Sequence, residues 1–267
     1  MPRRKVQRKS EKKYTIGHVS QEVILKLGET HPTIMMFQNF SQTIDDKHQR
    51  YERVVKLGRD LTYNSKNLIS FLQVNKPNTE YHSNAKEMIA KLIEKYLKPI
   101  AVELDGHDHY QYLRAYTNGL QEFTEAILFH QYLENGVIEN WSVVNDYFTF
   151  KTEDEKELKL LFPQMDFILG LADCTGELMR KCINNIAVGL IDDCFKICNF
   201  VKFILTGFLG VIVVGRNEIG RKLYTLKQSL MKMEMVCYNI KMRGNEVPKH
   251  MLADVSDVEE EDEESMD

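Results

Sequence analysis

The sequence predicts an all-α fold, a bundle of long helices with a charged arm at each end. Three observations carry that expectation. Apolar residues recur at three- and four-residue steps through most of the chain. Only six prolines interrupt the 267 residues, and four of them stand where helices should start or stop. No run alternates apolar and polar residues between hairpin dipeptides, so no sheet is expected. A hydrophobic content of 43% is enough for one sizeable core.

The elements follow in order. Residues 1–30 read as a basic, flexible arm. Residues 1–13 carry seven Lys/Arg and one Glu in two clusters, "RRKVQRK" and "KK". That pattern serves a solubilising arm, a nuclear-import signal or a nucleic-acid contact alike. Thr30 with Pro32 marks a helix start. From there Phe37, Phe40, Ile44, Tyr51, Val54, Val55, Leu61, Leu68 and Leu72 keep helical spacing, which gives one long amphipathic helix over 31–74, ended by Pro77. A helix of that length has to lie along others, as in a bundle. Thr79 caps a second helix to about 97, stopped by Pro99. The stretch "DGHDHYQYLRAYTNGLQEFTEAILFHQYLENG" is a third, with Gly136 near its end. Residues 141–150 look like a short helix and 151–162 like a charged connection. Pro163 opens a helix to about 187, and Asp192 or Asp193 caps another to about 206. Asn217 opens the last long helix, closed by Gly244 before Pro248. The helical domain is thus placed at 31–255, followed by an acidic disordered tail at 256–267. Nine Asp/Glu and no Lys/Arg fall in residues 254–267, so the net charge of −4 hides a basic start and an acidic end.

Several function classes find no support. The five cysteines are an odd number scattered through apolar segments, and no secretory h-region is visible, so they read as reduced core thiols of an intracellular protein. Cys194 and Cys198 sit one turn apart but lack a second Cys/His pair at zinc spacing. The apolar stretch at 203–215 falls short of the ~20 residues that a membrane helix needs. No P-loop, dinucleotide fingerprint, nucleophile elbow or HExxH motif is present. His107 and His109 make only a weak metal pair.

Two helices carry carboxylates on apolar surroundings. At ~100° per residue, Glu122 and Glu125 share a face with Ala126, Leu128, Phe129 and Leu133, while Tyr116, Leu120, Phe123 and Ile127 cover the opposite face. A helix apolar nearly all round is buried, and buried glutamates need cations, protons or a metal ion. On "MDFILGLADCTGELMRKCINN", Asp166, Asp173, Glu177, Arg180 and Asn184 form one stripe. Two readings stand: a solvated face with an Asp173–Glu177–Arg180 ion-pair cluster, or four carboxylates meeting across two helices. The second is a site for a hard cation such as Mg²⁺, which prefers oxygen ligands and activates water against a phosphodiester. The long first helix also carries Arg50, Arg53, Lys56 and Arg59 at three-residue steps. They are either an ordinary solvated face or phosphate contacts for a nucleic acid.

The blocks "KHQRYERVVKLGRDLT", "GLQEFTEA", "LADCTGELMRKCIN" and "RKLYTLKQSLMKMEMVCYNIKMRGNEVPKHMLADV" resemble the translin family. The last block points to the associated subunits of that family rather than to translin itself. The resemblance covers roughly residues 35 to 255. It implies an all-α fold of about seven helices and assembly with translin into a hollow shell that binds single-stranded RNA and DNA. It implies Mg²⁺-dependent endoribonuclease activity, in the cytoplasm and nucleus, on passenger-strand fragments of RNA silencing and on tRNA precursor fragments. The family's acidic residues fall on Glu122, Glu125, Asp173 and Glu177. Glu125 and Glu177 are read as the closest metal contacts, with Glu122 and Asp173 completing the site or orienting water. Arg53, Lys56 and Arg59 are read as the nucleic-acid contacts. The alternative is a non-catalytic nucleic-acid-binding or adaptor subunit that stabilises translin.

Overall fold

A computed structural model describes residues 31–74, 79–151, 155–210 and 217–243. The basic arm before residue 31, Pro77, Gly244, Pro248 and the acidic tail lie outside the described residues. Helix α1 spans Pro32–Val74. Its first part, up to Arg50, belongs to a separate compact unit. Met35, Met36, Phe37, Phe40 and Ile44 are exposed there, so the start of the expected apolar stripe is not core in this chain. From Tyr51 onward the stripe is core. Val54, Gly58, Leu61, Ser65, Leu68 and Leu72 are buried at alternating steps of four and three, the spacing that keeps one helix face inward.

Helix α2 (Thr79–Leu92) runs into a π-helical turn (Ile93–Leu97) and then α3 (Lys98–Glu103). The expected stop at Pro99 does not occur. A proline in a helix interior removes one i→i−4 hydrogen bond. Here the π turn shifts the pairing just ahead of it, with the Lys98 N–H donating to the Ile93 carbonyl, and the chain stays helical through Pro99. Helix α4 (His109–Asn135) starts on Asp108, whose side chain accepts from the Tyr110 N–H, and ends on Gly136 at φ 73°. A left-handed residue closes a helix there, and glycine adopts it without steric cost.

Helix α5 covers only Trp141–Asn145, followed by a 3₁₀ turn and strand β1 (Thr149–Lys151). Strand β2 (Glu157–Lys159) pairs antiparallel with it, Phe150 opposite Leu158. The expectation of no sheet is therefore corrected. Three residues per strand are too few for alternation to be read. Tertiary packing decides instead, with Phe150 and Leu158 buried and Phe148 stacked on Phe162 at 4.2 Å.

Helices α6 (Gln164–Ala187), α7 (Ile191–Leu209) and α8 (Asn217–Arg243) complete the chain. Asp192 and Asp193 lie in the first turn of α7 and do not cap it, since the cap position is Leu190. Acidic side chains there complement the positive end of the helix dipole. Among the described residues no helix is long and apolar enough to cross a membrane. All five cysteines are buried free thiols.

Two close helix approaches set the geometry that matters. On α1 a Cβ at Gly58 would stand 2.6 Å from the Ala115 carbonyl of α4. On α6 a Cβ at Gly170 would stand 2.8 Å from the Gln121 carbonyl of α4. Only glycine lets the backbones come this near. Helix α4 is thus clasped between α1 and α6, and α6 also packs against α7 and α8.

Candidate functional site

The carboxylates sit beside those approaches. Glu122 and Glu125 follow Gln121 on α4, and Asp173 and Glu177 stand one turn and two turns beyond Gly170 on α6. Together they line a cleft of about 530 Å³ with Lys66 and Ser70 of α1, Arg180 of α6 and Lys222 of α8. All four acidic positions read from the sequence meet in one place.

Three of the four have cationic partners. Lys66 reaches Glu122 at 3.0 Å, Arg180 reaches Glu177 at 3.1 Å, and Lys222 contacts Asp173. The Arg180–Glu177 pair is the part of the ion-pair reading that the structure bears out. Gln73, in the last turn of α1, donates to both the backbone and the side-chain oxygen of Glu177, each at 2.8 Å. Lys181 donates to the Leu72 and Gln73 carbonyls at 3.4 and 3.3 Å, which ties the end of α1 to α6. A lysine there satisfies carbonyls that a helix leaves open at its C-terminus.

Glu125 is different. It is 8% exposed and among the described residues makes no hydrogen bond or ion pair. Burial pushes its carboxyl up from the usual 4.5 to about 8. The Asp173, Glu122 and Glu177 charges add to that rise, and Lys222 opposes it. This is the response of a carboxyl that loses water and gains like-charged neighbours. Among the described residues, no three of the four carboxylates bring one oxygen each within 4.8 Å of one another. A cation held by three of them would draw the side chains inward from their lysine and arginine partners.

Sequence reading missed Lys66, Gln73 and Lys222. Lys66 and Gln73 had a signal. With Arg59 they recur every seven residues, so they lie about 20° apart around α1 and about 10.5 Å apart along it. Lys222 had none, because nothing in the sequence says that the start of α8 meets α6. Of the basic stripe, Lys56 and Arg59 are exposed. Arg53 is engaged, donating from Nη2 and Nε to Glu103 at 2.5 and 3.0 Å. Arg59 shares a depression of about 430 Å³ with Arg114 of α4, a second cation that the sequence did not single out. His109 accepts from the Leu161 N–H at 3.3 Å, and burial lowers its pKa. It ties the start of α4 to the chain ahead of α6.

Residues 49–244 match the family model described as the translin family. The chain is 39% identical to the translin-associated protein X of Rattus norvegicus over 248 residues, 86% of each chain. It is 39% identical to that of Mus musculus over 245 residues, 85% of this chain and 84% of the other. A homologue of that protein in Schizosaccharomyces pombe is 25% identical over 77% of this chain and 85% of its own. Among solved structures, apo-NeC3PO superposes with a TM-score of 0.60 at 18% identity, over 74% of this chain and 94% of that one. The AfC3PO–duplex RNA complex superposes at 0.54 and 16% identity, over 84% and 100%. At these identities the structural likeness establishes the fold alone.

Proposed function

Because the chain belongs to the translin family, we propose that it is a subunit of a translin hetero-oligomer and that its four-carboxylate cleft is a Mg²⁺-dependent endoribonuclease site for single-stranded RNA. The observation that carries this reading is Glu125. It is a buried carboxyl facing three others with no cation of its own. A divalent cation relieves that arrangement, and an all-oxygen donor set suits Mg²⁺.

Glu125 and Glu177 would hold the cation, with Glu122 and Asp173 completing the set or orienting the attacking water. Such a cation supplies positive charge against the phosphodiester and acidifies a water. The protein's own groups do the rest. Gln73 fixes the Glu177 side chain. Whichever of Glu122 and Asp173 helped to hold the cation would leave its own lysine, Lys66 or Lys222, free for phosphate oxygens. The other carboxylate of the two would accept the proton of the attacking water. Arg59, one heptad ahead of Lys66 on the same face of α1, with Arg114 beside it, gives a single strand a line of positive charge toward the cleft. Lys56 flanks that line. Passenger-strand and tRNA-precursor fragments are the substrates in view, with single-stranded DNA bound by the same cations. Work in the cytoplasm and nucleus follows from the family reading and the basic arm.

The test is cleavage of a labelled single-stranded RNA by this chain co-purified with a translin partner, in Mg²⁺ and in chelator, beside Glu125→Gln. Cutting that needs Mg²⁺ and is lost in the variant supports the reading. RNA bound but not cut by the intact complex would move the chain to the second reading, an adaptor that stabilises translin and holds nucleic acid. The specific observation favouring that alternative is that Glu122, Asp173 and Glu177 already have cationic partners.

A further inference from the structure

The C-terminal half of α4 and the neighbouring α2 carry a cluster that the carboxylate cleft does not use. One nitrogen each of His82 and His130 and one oxygen of Glu134 lie within 4.8 Å of one another, the one such set of three among the described residues. His130 and Glu134 are four apart on α4 and so share a face. His82 comes across from α2, its ring centroid 5.5 Å from that of His130. His130 is 3% exposed. Its Nε2 is buried without a hydrogen-bond partner, and so is Nδ1 of His82. Two unsatisfied imidazole nitrogens beside a carboxylate are uncommon, because buried polar atoms are nearly always paired.

We propose that His82, His130 and Glu134 form a binding site for a divalent cation of the Zn²⁺ class, which pins α2 to α4. Two imidazoles and one carboxylate match the borderline-soft character of Zn²⁺ and not the hard, all-oxygen preference of Mg²⁺. The protonation states fit. Burial lowers the pKa of His130, leaving a neutral ring with a free lone pair. The Lys86 hydrogen bond lowers that of Glu134 and keeps it anionic. Lys86 binds one Glu134 oxygen at 2.5 Å and is itself 61% exposed, so it swings into solvent when a cation arrives. The site is separate from the carboxylate cleft. His130 and Glu134 lie about 140° and 180° around α4 from Glu125. Three protein ligands leave a fourth position for water.

The test titrates Zn²⁺ alone into the chelator-stripped full-length chain by calorimetry, with excess Mg²⁺ present to occupy the carboxylate cleft. One equivalent of Zn²⁺ per chain is expected. Its affinity should fall by about tenfold or more in both His82→Gln and Glu134→Gln, two half-buried positions where the amide keeps most of the side-chain volume, and should stay unchanged in Glu125→Gln. Co²⁺ in place of Zn²⁺ should absorb in the visible without a sulfur-to-cobalt band. No saturable binding, an affinity unaltered in either histidine-site variant, or a sulfur-to-cobalt band overturns the proposal. None of these readouts depends on RNA cleavage, so the site stands or falls apart from the nuclease reading.

Discussion

Replacing Glu125 with Gln should make the metal-free chain more stable at alkaline pH, because it removes a buried carboxyl that must ionise without a partner. The folded pKa of about 8 stands well above the ordinary 4.5. Below pH 4.5 both folded and unfolded chains hold the proton, and Glu125 costs nothing. Between 4.5 and 8 the unfolded chain has released the proton and the folded chain has not. Each pH unit then removes about 1.4 kcal/mol of folding stability. Above pH 8 the loss is complete, of order 5 kcal/mol. Glutamine cannot ionise, so the stability of Glu125→Gln minus wild type should rise by roughly 4 kcal/mol from pH 5 to pH 8. Urea denaturation at a series of pH values without divalent ions measures it. Titrating groups that do not interact with Glu125 are common to both chains and cancel. Adding Mg²⁺ at pH 8 should then raise the midpoint of wild type and leave that of the variant nearly still, since an ionised Glu125 is what a cation stabilises. A difference that does not vary with pH would refute the reasoning, because it would mean that Glu125 is solvated or paired in solution.

Gly170→Ala should cost about 1–3 kcal/mol in thermal or urea unfolding, since the new Cβ meets the Gln121 backbone at 2.8 Å and pushes Asp173 and Glu177 away from α4. Lys66→Met should change stability by less than about 1 kcal/mol, the range of an exposed ion pair. In a salt titration it should still weaken single-stranded RNA binding and flatten the slope of log affinity against log salt by about 0.7. Arg59→Ala should weaken RNA binding more than Arg53→Ala in the same assay, because Glu103 already neutralises Arg53. Equal losses would count against a path along the Arg59–Lys66 face.

The helices were legible because they are long and their apolar spacing is sustained. Leu61, Leu68 and Leu72 of α1 were assigned to the core by period alone, and all three are buried. What failed was local competition. Pro99 carries the usual stop signal, but a π turn ending two residues earlier absorbs it, and a π turn has no sequence mark. The β1–β2 hairpin is paired because Phe150 and Leu158 have a core to enter, which no three-residue window reveals. Phe37, Phe40 and Ile44 have helical spacing yet are exposed, since period reports that a face is apolar and not what covers it. At the site, the shared face of Glu122 and Glu125 followed from 100° steps, and so did that of Asp173 and Glu177. That the two faces meet depends on the Gly170 approach, and that Lys222 joins them depends on the docking of α8, both long-range facts.

The three ion pairs of the cleft bear on which reading of it is right. Lys66 is 61% exposed and Arg180 62%, and two pairs so open to water contribute only about 0–1 kcal/mol each. On the proposed reading, a divalent cation would displace the Lys66 and Arg180 pairs at small cost, while Lys222 and Asp173, 29% and 30% exposed, form the pair that would resist most. The two open pairs therefore weigh little against the nuclease reading. Glu125 has no such resting partner. A purely structural role for the cleft offers no physical reason to bury a carboxyl among three others, where an Ala or Leu on the same apolar helix face would pack without the electrostatic cost. The choice between nuclease and adaptor thus rests on one side chain, and the pH profile of Glu125→Gln tests that side chain before any RNA is added.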